Sequence, residues 1–317
     1  IEFAGLLGMK YLFLEQRAPG GVEENELTLT FEGRRRGLAS WLADSGSGGA
    51  AEYLPADALV AGYASTREPW QLFEEFAAVM TRENQSFGSQ LALANEKLGA
   101  GFIENLTRAM GTEAAFALNG VSVSGPAWVM AAVANDPAVI DDSLRKLVEA
   151  FNAGLSPQEL DKRIVFGQEI AGGRAWNTLK PAGFPFAVTW TYDGGYMIAA
   201  SDRASAERAI ATRNGGSSLV WSPAFLGQLP NSAGMHPSAF GWVNTKGALG
   251  AFSALGSPSP ALTKLLAERD PVLVVFDGTA DRIHAASRTR LSGLIVNAML
   301  LEGVSRTRRD APSATVQ

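Results

Sequence analysis

A glycine turn between two strand-like runs of residues places the tightest limit on how this chain can fold. The runs span 186–192 and 196–201, and the sequence Asp-Gly-Gly at 193–195 lies between them. Short runs rich in apolar, aromatic and β-branched residues are typical of strands, and a short glycine-rich loop between two such runs is typical of a β-hairpin. Because a hairpin joins antiparallel strands, the chain is predicted to contain an antiparallel sheet.

Further strands follow from the same reasoning. A second hairpin is predicted from runs at 113–118 and 128–133, with its turn at Asn119-Gly120, a dipeptide that favours tight hairpin turns. The remaining predicted strands lie at 27–31, 59–64, 164–170, 174–179, 239–244, 272–277 and 282–287.

Helical periodicity separates these strands. Pro69 suits the first turn of a long helix whose pattern continues, with an interruption near residues 99–101, to Met110. Asp141 or Asp142 is predicted to cap a helix whose apolar residues recur at helical spacing, at Leu144, Leu147, Val148 and Phe151. Other predicted helices span 39–43, 202–213, 223–229 and 291–301.

Two internal similarities indicate how these elements are organised. Residues 27–44 align without a gap with 283–300, sharing a strand followed by Arg-x-x-Gly-Leu, and residues 58–72 resemble 238–252, a strand that leads into a helix. Helices and hairpins in mixed order predict an α+β fold with antiparallel-rich sheets and packed helices. The similarities predict that this fold consists of two similar, duplicated halves.

Composition predicts the boundaries between these parts. Glycine and serine between two patterned regions indicate a linker, and the last residues have no periodicity and little to bury, which is typical of a tail. The predicted units are the C-terminal part of a preceding repeat at 1–44, a linker at 45–51, a first α+β half at 52–216, a second half at 217–304 and a tail at 305–317.

Composition also excludes or disfavours several common kinds of functional site. The chain has no cysteine, which excludes thiolate zinc sites, iron–sulfur clusters, cysteine nucleophiles and disulfides. Its two histidines, His236 and His284, are not spaced as metal ligands, so no metal or other cofactor is predicted. A net charge of −5 without a long basic block disfavours nucleic acid as a partner.

Two short motifs match known patterns but lack their context. The glycine-rich run at 46–51 fits a dinucleotide fingerprint, but it follows a predicted helix instead of a strand, so a flexible linker is the better interpretation. Ser143 and Lys146 fit the Ser-x-x-Lys motif of penicillin-binding enzymes, but the companion motifs are absent and both residues are predicted on the polar side of their helix. The chain is therefore predicted not to be an enzyme.

Two compact groups of arginines are the candidate partner-contact residues. Clustered guanidinium groups in an acidic chain are suited to an acidic partner or to phosphate head groups. These candidates are Arg34, Arg35, Arg36, Arg306, Arg308 and Arg309.

Soft patterns of turns and strands recur along most of the chain. They lie at 54–60 before a strand and long helix, at 110–118, at the hairpin 192–196 leading to 199–202, and at 218–225. In these segments the chain resembles a bacterial family known as domain of unknown function 3352, over about residues 52–300. Members of that family typically carry an N-terminal signal or anchor and face outside the cytoplasm, and no activity is assigned to them. The resemblance therefore implies an extracytoplasmic location and transfers no site residue.

The combined prediction is a non-enzymatic extracytoplasmic protein, an accessory or structural subunit of a membrane or cell-envelope complex with a protein partner. No segment reaches the roughly 20 apolar residues of a membrane span, and an anchor upstream of Ile1 is left open. Two alternatives also stay open. One is a binding module for a lipid or other apolar ligand in a crevice between sheet and helices, and the other is a hydrolase that uses carboxylates from separate segments.

Overall fold

Twelve strands form one antiparallel sheet in the part of the chain that the structure describes. The computed structural model describes residues 5–43, 46–122, 125–183, 186–233, 237–255 and 271–288. The strands are β1 (Met9–Arg17), β2 (Glu24–Phe31), β3 (Val60–Ser65), β4 (Met110–Ser122), β5 (Gly125–Ala134), β6 (Ile164–Ala171), β7 (Arg174–Pro181), β8 (Val188–Asp193), β9 (Tyr196–Ala200), β10 (Ala239–Val243), β11 (Val272–Thr279) and β12 (Arg282–Ser287). The helices are α1 (Pro69–Glu83), α2 (Gln85–Leu98), α3 (Phe102–Ala109), α4 (Pro137–Ala153), α5 (Arg203–Asn214), α6 (Pro223–Gln228) and α7 (Thr245–Leu255). The predicted α+β class is confirmed.

The strand order is similar on the two sides of a central pair, except that the side of β3 has one more hairpin, β6–β7. The order is β1-β2-β12-β11-β10-β3-β4-β5-β9-β8-β7-β6, and β3 pairs with β10 so that Gly62 lies opposite Gly241. Each of these two strands leads into a helix and then a hairpin, β4–β5 on one side and β11–β12 on the other, and a second hairpin follows outward on both sides. The predicted piece 1–44 is joined to the predicted second half, because Leu27 of β2 lies opposite Ala285 of β12. Duplication stays a prediction.

Each face of the sheet carries a hydrophobic core. On the first face, α5, α6 and a 3₁₀ turn at Gly49–Tyr53 cover a core that contains Trp176 and Ile198. On the second face, α3 and α4 cover a core around Ile140 and Trp190. Successive residues of a strand point to opposite faces, so strands between the two layers contribute to both cores.

Several local signals are confirmed. Gly194 and Gly195 have φ values of 54° and 87°, the two positive values that a tight two-residue hairpin turn requires. Pro69 begins α1, and the helical stretch breaks at Gly99–Gly101 between α2 and α3. Asp202 caps α5 through its carboxylate.

The predicted turn at Asn119-Gly120 is wrong. β4 continues to Ser122, and the dipeptide lies at an irregularity in its pairing with β5. A longer run of paired strand overrides the local turn preference here. The predicted helix at 39–43 is likewise replaced by a 3₁₀ turn at Gly37–Ser40.

The predicted cap of α4 is also wrong. Asp136, and not Asp141 or Asp142, accepts hydrogen bonds from two backbone N–H groups of the first turn, both at 3.1 Å. Pro137 occupies the first helical position, where its fixed φ and missing N–H suit the start of a helix. Asp141 is thereby placed inside the helix and is available for a different contact.

The segment predicted as a flexible linker is instead packed against the sheet. The last two residues of 45–51 are buried on the first face. The buried carboxylate of Glu113 accepts hydrogen bonds from the backbone N–H groups of Ser47 and Gly48, with N–Oε1 distances of 2.5 and 3.2 Å. Glycine serves close approach here, since a Cβ on Gly46 would lie 2.6 Å from that carboxylate oxygen.

Two predicted segments fall outside the described residues, namely the helix at 291–301 and the tail at 305–317. Within the described ranges, no helix combines the length and the apolar character that crossing a membrane requires.

Candidate functional site

A cavity of about 700 Å³ lies between α1, the loop that follows β2, and the N-terminal segment around Leu7. Phe31 at the end of β2 forms part of its wall, together with Trp41 and with Phe76 and Val79 of α1. Arginines of the loop after β2 and of α1 also line it. Hereafter this is the arginine cavity.

Arg35 holds the loop after β2 in place. Its guanidinium donates three hydrogen bonds to backbone carbonyl oxygens, to Thr279 at 2.5 Å, to Ala39 at 2.6 Å and to Leu42 at 2.8 Å. Three of the five N–H donors of this partly buried side chain are thus bound to carbonyl oxygens. Arg35 therefore ties the wall of the cavity to the end of β11 and is a positioning residue.

Arg34 and Arg36 differ from Arg35 although the three are adjacent. Both are exposed at the arginine cavity, and within the described residues neither side chain forms an ion pair or a hydrogen bond. Arg82, in the last turn of α1, lines the cavity from the opposite side. The predicted group 34–36 thus consists of one structural arginine and two that are available to a ligand.

The acidic groups of this cavity do not neutralise the two available arginines. Glu75 lies in the cavity wall but pairs with Arg67, with 2.8 Å between Oε2 and Nη2. Glu32 is exposed at the same wall. The local charge around the rim is therefore positive in a chain whose net charge is −5.

The N-terminal segment closes one side of the cavity through a glycine contact. Gly5 is buried with φ of 74°, in the left-handed region, and an added Cβ would overlap the carbonyl oxygen of Arg36. Only a residue without a side chain fits this approach. The contact fixes the segment carrying Leu7 against the arginine loop.

An apolar track leads away from the cavity along the second face. Leu27, Leu29 and Phe31 alternate along β2 and therefore share that face. Leu12 and Leu14 of β1 lie opposite Leu29 and Leu27 and are 37% and 44% exposed. The four leucines expose apolar surface, and their row on β2 ends at the buried Phe31 in the cavity wall. These five side chains are hereafter the apolar track.

A second cavity, of about 440 Å³, contains the Ser-x-x-Lys pair. The prediction that Ser143 lies on a solvated face is wrong, because this side chain is buried in the wall between α3 and α4. Lys146 is exposed, and its ammonium group lies 2.8 Å from Asp142. Asp136, which also lines this cavity, is the cap of α4. The charged groups named here thus already have partners.

The carboxylate of Asp141 joins α4 to two strands of the sheet, a role that sequence reasoning missed. It accepts hydrogen bonds from Trp190 Nε1 at 2.8 Å, Tyr192 Oη at 2.7 Å and Asn177 Nδ2 at 2.9 Å. Burial, followed by the contact with Asp141, raises the pKa of Tyr192 well above its usual range. Pro137 is the sequence signal from which this role of Asp141 could have been predicted, because a proline at the first helical position places the start of α4 before Asp141.

His284 lies on the first face of the sheet between two carboxylates. Its Nε2 is 3.4 Å from Glu26 Oε2, and its Nδ1 is 4.0 Å from Asp277 Oδ2. Asp277 first, and Glu26 against the opposing effect of burial, raise the pKa of His284. Arg17 lies 4.0 Å from Glu26 on the adjoining strand. In the described part of the chain, no three His, Asp or Glu side chains are placed to hold a metal.

β1 forms one edge of the sheet, and all nine of its residues are exposed. Tyr11 and Phe13 point to the first face, with 5.8 Å between their ring centroids, and are 54% and 52% exposed. An open edge with apolar side chains is a template for pairing with another strand.

The remaining predicted residues, Arg306, Arg308 and Arg309, lie outside the described residues, as does His236. No family model, no curated protein and no solved structure matches this chain. The resemblance to the domain of unknown function 3352 family therefore stays a prediction.

Proposed function

We propose that this protein is a binding module that holds an apolar ligand in the arginine cavity. The observation that carries the proposal is a cavity of about 700 Å³ whose wall combines charged side chains with the apolar side chains of Phe31, Trp41, Phe76 and Val79. Pockets of roughly 300–1,000 Å³ lined mostly by apolar side chains are typical of small-ligand sites.

Two further features support this function. The cavity lies in a crevice between a helix and the end of a sheet strand, where an apolar ligand needs few polar anchors. Its wall is fixed in advance, because Arg35 ties the loop to the end of β11 and Gly5 ties the N-terminal segment to the loop. A preorganised site loses less entropy on binding.

The test is titration with the neutral fluorescent probe N-phenyl-1-naphthylamine. We expect saturable binding at one site, and at least tenfold weaker binding by Ala78→Trp, because residue 78 lines the cavity and an indole there would fill it. Gln71→Trp, an exposed substitution on the same helix, is the matched control and should leave affinity unchanged. Equal binding by both variants, or none by the wild type, would contradict the proposal.

We propose a second candidate, an accessory subunit that accepts a strand from a protein partner. The observation that favours it is β1, an edge strand whose nine residues are all exposed. An extended peptide can add to such an edge through main-chain hydrogen bonds, while alternate side chains give specificity. The family resemblance supports an extracytoplasmic location for either candidate.

This second candidate is tested by selecting peptides from a displayed library on the purified protein. Selected peptides should bind as extended strands, and Tyr11→Lys with Phe13→Lys should abolish their binding. Val165→Lys, an exposed residue of β6 at the other edge, is the control. Peptides that bind the double variant normally would argue against the candidate, as would a concentration-dependent dimer that buries β1.

A further inference from the structure

We infer that the ligand of the arginine cavity is a single-chain amphiphile with an anionic headgroup. Arg34 and Arg36 hold the headgroup at the rim, and the chain lies in the cavity and along the apolar track. This inference rests on the proposed function, because it names the ligand class for the same cavity.

The charge at the rim identifies the headgroup. Arg34 and Arg36 carry exposed guanidinium groups without an ion-pair partner among the described residues, whereas Arg35 between them is occupied by three carbonyl oxygens. A guanidinium presents N–H donors in a planar fork that matches the oxygens of a carboxylate or phosphate. Of the two carboxylates that the described part of the chain places in the cavity wall, Glu75 is bound by Arg67, and Glu32 is exposed and forms no ion pair with either available arginine. The site is therefore complementary to an anion.

The geometry of β2 indicates that the apolar part of the ligand is a single alkyl chain. Phe31 lies in the cavity wall, and Leu29 and Leu27 continue on the same face toward the other end of the strand. With a rise of about 3.3 Å per residue, positions 27 and 31 are about 13 Å apart. Leu12 and Leu14 widen this track on the neighbouring strand. A single alkyl chain fits a track two strands wide, with its headgroup at the arginines.

The headgroup is tested by calorimetric titration with dodecanoate and dodecyl phosphate below their critical micelle concentrations, and with dodecanol below its solubility limit. We expect at least one of the two anions to bind tenfold or more tightly than dodecanol, and the tighter one identifies the headgroup. The double variant Arg34→Gln with Arg36→Gln should bind that anion only as tightly as the wild type binds dodecanol. Its affinity for dodecanol should be unchanged. Arg163→Gln with Lys180→Gln, exposed residues at the far side of the sheet, removes the same charge and should change nothing.

The binding of the alkyl chain is tested by titration with straight-chain carboxylates of eight to fourteen carbons. Affinity should rise with length by up to about fourfold for each methylene that becomes buried. Leu12→Asn with Leu14→Asn should flatten this rise for the longer chains while octanoate binds as before. Salt provides a test that needs no variant, because added NaCl should weaken the binding of the anion and leave the binding of dodecanol unchanged.

The outcomes separate this inference from the proposed function. Dodecanol binding as tightly as both anions, or an arginine double variant that binds like the wild type, would overturn the anionic headgroup. Binding of the neutral naphthylamine probe in that case would leave the apolar site standing. Failure of the probe and of every amphiphile would overturn both.

Discussion

Replacing Asp141 by alanine should destabilise the fold far more than the same change one residue later. Three donors bind the Asp141 carboxylate, and two of them, Trp190 Nε1 and Asn177 Nδ2, belong to side chains that are 0% and 1% exposed. Each buried donor left without a partner costs about 1–3 kcal/mol, so the expected loss in the free energy of unfolding is about 4 kcal/mol. Tyr192 is half-buried and can regain a bond from water.

Asp142→Ala is the matched control. Among the described residues, Asp142 forms an ion pair with Lys146 across one helical turn, and both side chains are at least half exposed. An exposed pair of this kind contributes about 0.5 kcal/mol, and the gain in helix propensity on changing Asp to Ala is common to both variants.

The assay is urea denaturation, with both variants compared at equal slope. Asp141→Asn keeps one acceptor oxygen and should fall between the wild type and Asp141→Ala. If Asp141→Ala and Asp142→Ala differ by less than about 1 kcal/mol, the carboxylate does not anchor α4 as its hydrogen bonds indicate.

Three other predictions follow from contacts described above. Arg35→Ala should lower the free energy of unfolding by about 2–4 kcal/mol, since it leaves carbonyl acceptors without donors, whereas Arg34→Ala should stay within about 0.5 kcal/mol; urea midpoints that coincide would contradict this. The raised pKa of His284 means that its charged form is favoured in the fold, so stability is present below the unfolded pKa of about 6.5 and is lost as pH rises through the folded pKa. His284→Gln should therefore destabilise at pH 5.5 and have little effect at pH 9, and a loss independent of pH would refute the assignment. Gly46→Ala should lower the thermal midpoint because its Cβ would overlap a buried carboxylate, while Gly227→Ala, with open space around it, should not; equal midpoints would mean that the 46–51 segment is as loose as its composition indicates.

Elements specified by neighbouring residues could be predicted from sequence, and contacts between distant residues could not. The turn at Gly194-Gly195 and the start of α1 at Pro69 depend only on local backbone preferences, and both are confirmed. Arg34 and Arg35 are chemically identical, yet only Arg35 meets the carbonyl of Thr279, 244 positions along the chain. Nothing local to the arginine run distinguishes them.

The candidate site shows the same division. Sequence reasoning selected the arginine run because cationic clusters are visible in a linear sequence, but the cavity beside it is made by residues from separate segments such as Leu7 and Phe76. The linker was mispredicted because glycine permits both flexibility and close approach. The packing of this segment depends on the buried carboxylate of Glu113, and no local sequence pattern predicts that Glu113 is buried.

The position of β12 sets an order of events during synthesis. Glu26 on β2 and its neighbour His284 on β12 are 258 positions apart, and β12 is the strand that connects the β1–β2 hairpin to the rest of the sheet. The hairpin therefore leaves the ribosome long before its docking strand exists, and its closure is a late, slow step that local contacts cannot accelerate. In a nascent chain halted before residue 282, both strands of that hairpin would have an unpaired edge, whereas in the sheet that the structure describes only β1 does and β2 is paired with β12.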